Sequence, residues 1–158
     1  APGSGMASAP NSTPRLRPAR PEDAAFARRL YFATNRWIVE RLIGWDEARE
    51  SERFASEFRP EEAQIILLDS VPIGWMQAGE AEGALQLKQI CLDPAYQRRG
   101  IGTMLLQELI AAAEAKALPV ELTVARINLA VGLYARLGFR VVDTNALELT
   151  MRRDPAAK

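Results

Sequence analysis

The stretch Gln97–Ile110 reads QRRGIGTMLLQELI, two arginines and two glycines set directly in front of an apolar helical run. The first amides of a helix lack intrahelical partners and sit at the positive end of its dipole, so a helix opened by such a loop is suited to an anion. Strand-like residues precede the loop and a second strand, PVELTV, follows the helix, which is the order of a phosphate-binding turn. Two familiar forms of that turn do not fit. The loop lacks the Gly-Lys-Ser/Thr of a P-loop, and Gly100 and Gly102 have no third glycine at dinucleotide-binding spacing.

Outward from this stretch, composition sets the limits. The 158 residues are 48% hydrophobic and 25% charged, which suits one compact domain with a core. Twenty Lys plus Arg balance twenty Asp plus Glu, so the charge gives no sign of a nucleic-acid or membrane partner. No apolar run approaches a membrane span and no secretory signal is legible, so a cytoplasmic protein is expected. There is no histidine, which removes imidazole zinc sites and Ser-His or Cys-His pairs; no metal is expected. Cys91 is the single cysteine and reads as a small buried hydrophobe.

Residues 1–14 read as a tag remnant and disordered tail, residues 15–153 as the domain, and residues 154–158 as a C-terminal tail. After a strand at PRLR, apolar residues from Pro21 to Leu42 fall at helical spacing, as one or two helices. A short helix is expected from about Asp46, its cap, to Phe58, ended by Pro60. The period then changes to three strands, QIILLD, VPIGWMQAGE and ALQLKQICLD, joined by turns at Ser70–Pro72 and Glu80–Gly83. In the third of these the apolar positions slip from odd (Leu85, Leu87) to even (Ile90, Leu92). Either both faces of this strand are buried, or an extra residue at Lys88 or Gln89, a β-bulge, holds all four on one face; the bulge is expected. A helix over Gln97–Ala117, the strand PVELTV, a helix NLAVGLYARLG, and strands FRVVD and ALELTMRR complete the order.

Gln97, Gly100 and Gly102 match the pattern Gln/Arg-x-x-Gly-x-Gly/Ala, and the chain here resembles the Gcn5-related N-acetyltransferase (GNAT) superfamily. Further elements of that superfamily follow in order: the strand exit at Asp93 and Pro94, the strand Val120–Val124, and then Asn128, Tyr134, Gly138 and Phe139. The resemblance extends over about Arg15 to Arg153. It implies an α/β fold with a mixed, mainly antiparallel central sheet flanked by helices, in which the fourth and fifth strands splay apart. It also implies acetyl-CoA as co-substrate, direct transfer to a primary amine in a ternary complex, and a monomer or homodimer.

Residue by residue, the resemblance places the pyrophosphate on amides around Gln97, Arg98, Arg99, Gly100, Ile101, Gly102 and Thr103. The side chains of Arg98 and Arg99 are either a solvated pair or partners of the 3'-phosphate. The backbone of Ile90, Cys91 and Leu92 would pair with the pantetheine arm and supply an oxyanion donor, and Asn128 would join the cofactor site. Tyr134 would be the general acid that protonates the leaving sulfur. No carboxylate stands among Gln86, Lys88 and Gln89, where many members carry a glutamate base. A water relay or an acid from elsewhere is therefore expected, with Glu80, Glu82, Asp93, Glu40, Asp46 and Glu47 as candidates. Tyr31, Asn35, Arg36 and Trp45 would contribute to the acceptor wall. The acceptor is a small-molecule amine or a protein amine. A coenzyme-binding sensor without catalysis and a protein-lysine acetyltransferase stand as alternatives.

Overall fold

The computed structural model describes residues 13–156. Residues 1–12 of the expected tag remnant and N-terminal tail, and residues 157–158 of the C-terminal tail, lie outside the described residues. Seven strands form one sheet: β1 (Arg15–Pro18), β2 (Ala63–Leu68), β3 (Val71–Ala81), β4 (Ala84–Leu92), β5 (Val120–Ala125), β6 (Arg140–Thr144) and β7 (Glu148–Arg153). Their order is β1-β2-β3-β4-β5-β7-β6, antiparallel throughout except for the parallel contact of β4 with β5. Helices α1 (Ala24–Ile43) and α2 (Glu47–Glu57) cover one face; α3 (Ile101–Ala115) and α4 (Val131–Arg136) cover the other.

Period-two alternation divides the core between the two faces. Ile65, Trp75 and Cys91 pack toward Ala27 and Leu30 of α1 and Phe54 of α2. Their neighbours Ile66, Ile73, Met76 and Leu87 pack toward α3 and α4. Burial of side chains as large as Ile65, Ile66 and Ile73 stabilises the fold by about 1.5–3 kcal/mol each. A buried hydrogen bond from Trp75 Nε1 to the Ala27 carbonyl, 3.0 Å, fixes α1 on β3.

Local chemistry explains the element ends. Asp23 accepts two bonds from Arg17, at 2.9 and 3.0 Å, and one from the Arg20 amide, joining β1 to the start of α1. The span from Pro21 holds one short 3-10 turn and then one helix. Asp46 caps α2 as expected, its carboxylate accepting from the Arg49 amide at 3.0 Å.

The expected bulge is present. Gln77 pairs with Gln89 and Ala78 with Leu87, leaving Lys88 as the extra residue of β4. With it in place, Leu85, Leu87, Ile90 and Leu92 all turn to the α3–α4 face while Cys91 turns to α1.

Two helices are shorter than the sequence pattern predicts. The helix expected from Gln97 begins at Ile101, because Arg98 (φ 63°) and Gly100 (φ 82°) adopt left-handed backbone that a right-handed helix cannot contain. The helix expected from Asn128 begins at Val131, because Asn128 Oδ1 accepts from the Ala130 amide at 2.8 Å and holds a turn there. Among the described residues no helix is long and apolar enough to cross a membrane.

Candidate active site

The loop between β4 and α3 is held from both sides. Asp93 accepts from the Ala95 amide at 2.9 Å, and Gln97 Nε2 donates to the Leu92 carbonyl at 3.0 Å. Gly100 then turns the chain into α3, whose first internal bond runs from the Met104 amide to the Gly100 carbonyl, 3.0 Å. The amides of Ile101, Gly102 and Thr103 have no acceptor among the described residues. A Cβ on Gly102 would meet a single neighbour within 4 Å, Leu92 Cδ1 at 3.6 Å. Gly100, Gly102 and Thr103 line a cavity, so unpaired backbone N–H groups border open space, an arrangement suited to an anion.

Beside it the sheet parts. β4 and β5 pair only through Leu85–Val120, Gln86–Glu121 and Leu87–Leu122; the Lys88 bulge then ends the ladder. Beyond the bulge Ile90, Cys91 and Leu92 remain paired with Met76, Trp75 and Gly74 of β3, and their other edge has no strand partner among the described residues. An open edge of this kind accepts an extended amide-bearing chain. A cavity of about 850 Å³ runs from the loop through the gap to α1 and α2.

The cavity gathers most of the residues expected from sequence. Ile90, Cys91, Leu92, Gln97, Arg98, Gly100, Gly102, Thr103, Asn128 and Tyr134 line it, and so do Tyr31 and Asn35. Four others, Arg99, Ile101, Arg36 and Trp45, lie off its wall. Arg99 places its guanidinium 5.3 Å from the centre of the Tyr96 ring, and Ile101 is buried against Ile66 and Ile73. Trp45 packs edge-on to Phe32, beneath Arg36, and donates from Nε1 to Glu47.

Tyr134 is 7% exposed and packs edge-on against Phe139. Its hydroxyl has no hydrogen-bond partner among the described residues, yet it is not sealed in, because the residue lines the cavity. Burial, reinforced by nearby Cys91, pushes its pKa up to about 12, so the phenol carries its proton at neutral pH. Burial likewise pushes the Cys91 thiol up to about 12, which leaves it a neutral wall residue rather than a nucleophile.

The carboxylates named from sequence are engaged elsewhere. Glu80 pairs with Lys116 at 2.7 Å, Asp93 and Asp46 are caps, Glu47 receives Trp45, and Glu82 sits in the β3–β4 turn. None of these, nor Glu40, lines the cavity. Glu57 and Glu148 do. Sequence reading passed over both, since Glu57 looks like a solvated acid at a helix end and Glu148 like one residue of an alternating strand.

The family model described as Acetyltransferase (GNAT) family matches residues 26–139. The chain belongs to the GNAT acetyltransferase family. Solved structures of similar fold include the PaiA N-acetyltransferase from Thermoplasma acidophilum in complex with coenzyme A. That similarity has a TM-score of 0.73 at 19% identity and covers 90% of this chain and 99% of that one. The ribosomal-protein-S18-alanine N-acetyltransferase from Escherichia coli superposes with a TM-score of 0.68 at 20% identity, covering 92% and 97%. An acetyltransferase from Thermus thermophilus gives 0.68 at 22% identity, covering 90% and 97%. No curated protein matches the chain. The mainly antiparallel sheet of this GNAT chain, parallel only between β4 and β5, is thus its family fold.

Proposed function

We propose that the protein is an acetyl-CoA-dependent N-acetyltransferase that moves the acetyl group directly to a primary amine within a ternary complex. One observation carries this reading: the protonated, unpartnered Tyr134 hydroxyl lines the same cavity as the free amides at the start of α3. Bound acetyl-CoA would supply an acetyl thioester. The α3 amides and Arg98 would hold its phosphates, and the open edge of β4 would take its pantetheine amides. A backbone N–H beyond the bulge would face the thioester oxygen, stabilising charge that develops as the amine attacks. Tyr134, protonated throughout the neutral range, would then donate its phenolic proton to the departing sulfur as negative charge develops there. The crystal structure of the PaiA enzyme holds coenzyme A, which accords with this ligand class.

A second reading, a coenzyme-binding module without turnover, is favoured by one feature. β4 carries Gln86, Lys88 and Gln89 around its bulge and no carboxylate there. The two readings separate in an acceptor screen that follows thiol release from acetyl-CoA. The panel would comprise alkyl diamines, polyamines, amino acids, aminoglycosides and lysine-containing peptides. Acetylation of a primary amine with turnover is expected. Tight binding of acetyl-CoA in calorimetry with no acetylated product would establish the second reading instead.

A further inference from the structure

The last residue of α2, Glu57, is the one carboxylate shared by two adjoining cavities among the described residues. The first is the gap already described. The second, about 430 Å³, lies under α2 and is walled by Tyr31, Phe54, Phe58 and Trp75. They meet at the β4 bulge, beside Lys88 and Gln89. Glu57 thus reaches the gap from the α2 face, while Tyr134 reaches it from the α4 face.

A buried amide fixes this end of α2. Gln77 is 3% exposed, directly opposite Gln89 at the bulge. Its Nε2 donates to the Glu57 carbonyl at 3.0 Å and its Oε1 accepts from the Arg59 amide at 3.1 Å. A polar side chain buried this deeply is tolerated only when satisfied, and both its ends are spent on the turn that carries Glu57.

The charged groups around Glu57 leave its carboxylate accessible. Arg53 approaches it at 3.7 Å from the same helix and hydrogen-bonds to no carboxylate. Lys88 of β4 is held by Glu62 at 2.8 Å, and Arg59 faces Glu61 at 3.9 Å. Tyr31 of α1 contributes a neutral phenol, its pKa raised by burial. The Glu57 side chain remains 67% exposed. A carboxylate beside aromatic rings is the chemistry that receives an alkylammonium ion.

We propose that Glu57 binds the acceptor as its ammonium ion at the junction of the two cavities and takes its proton, so that attack proceeds from the α2 face. This rests on the acetyltransferase reading. The ammonium proton passes to the Glu57 carboxylate, directly or through one water, and the freed nitrogen lone pair forms the N–C bond. The C–S bond breaks with its electron pair on sulfur, which takes a proton from Tyr134. The second proton lost by the nitrogen returns to Tyr134 through solvent, and Glu57 gives its own to water. Ammonium and thioester thus become amide, thiol and one released proton. Gln77 is a positioning residue, acting through Glu57.

The test compares wild type with Glu57→Gln, using the most active amine of the panel above, from pH 6.5 to 10. The substitution keeps the shape of an exposed side chain, so melting behaviour and calorimetric affinity for acetyl-CoA are expected to be unchanged. At pH 7 kcat/KM should fall roughly 10- to 100-fold. The deficit should shrink to within about threefold near pH 10, where the free amine forms without help. Gln77→Met should reproduce part of the pH 7 loss with the same recovery; an altered melt with an unaltered profile would make Gln77 structural only. Equal kcat/KM at pH 7, or a deficit independent of pH, overturns the assignment of Glu57 while leaving acetyl transfer intact. Failure of wild type to acetylate any amine overturns both.

Discussion

The Tyr134 hydroxyl is close to a minimal change: Tyr134→Phe removes one oxygen from a ring that stays packed on Phe139. If the phenol protonates the leaving sulfur, kcat should fall roughly 10- to 1000-fold while the Kd for acetyl-CoA changes little. Equal turnover in the two proteins, measured after confirming equal melts, would remove Tyr134 from the chemistry. Glu57 and Tyr134 illustrate different degrees of legibility. Tyr134 stands in a motif with Gly138 and Phe139 and could be named from sequence. Glu57 could not, because its place depends on where α2 ends and on Gln77, twenty residues away along the chain.

At the scale of elements, the start of α3 separates what the free protein needs from what a ligand needs. Gly100 is required by its own backbone, at φ 82°. Gly102 is helical, and the protein has room for a methyl group there. Gly102→Ala should therefore leave stability unchanged or raise it by up to about 1 kcal/mol. The same methyl group would stand above the open amides, so affinity for acetyl-CoA should drop by about tenfold or more. Thermal melts and calorimetric titration of the one variant read both effects; undiminished affinity would place the phosphates elsewhere. The bulge in β4 was legible because a strand has a strict two-residue period, so a slip from Leu87 to Ile90 admits few explanations. The true starts of α3 and α4 were hidden, since periodicity cannot show the left-handed turn at Arg98 or the Asn128 side-chain bond to Ala130.

Across the whole molecule, two acidic groups kept neutral lie on opposite faces of the centre of the sheet, Cys91 of β4 toward α1 and Tyr134 of α4 on the other side. Their pKa values rise from 9.0 and 10.0 to about 12. The unfolded chain therefore releases these protons at lower pH than the folded one. Their contribution to stability is complete below about pH 9 and is lost as pH climbs toward 12. Urea unfolding at successive pH values should show stability falling above pH 9, by at most about 1.4 kcal/mol per pH unit for each group. Cys91→Ala and Tyr134→Phe should each flatten that decline; a decline parallel to wild type would assign it to other groups.

By itself the sequence determined the family fold, the bulged strand, the glycine-bearing loop and the tyrosine, because each is written in neighbouring residues or a fixed period. The merging of loop, gap and helices into one cavity and the sorting of carboxylates were decided only in three dimensions. Those features depend on which distant segments meet: Gln77 with Glu57, Glu62 with Lys88, and Lys116 with Glu80. Chain separation hides such contacts from any local pattern, whereas backbone geometry and apolar periodicity act between near neighbours and remain readable.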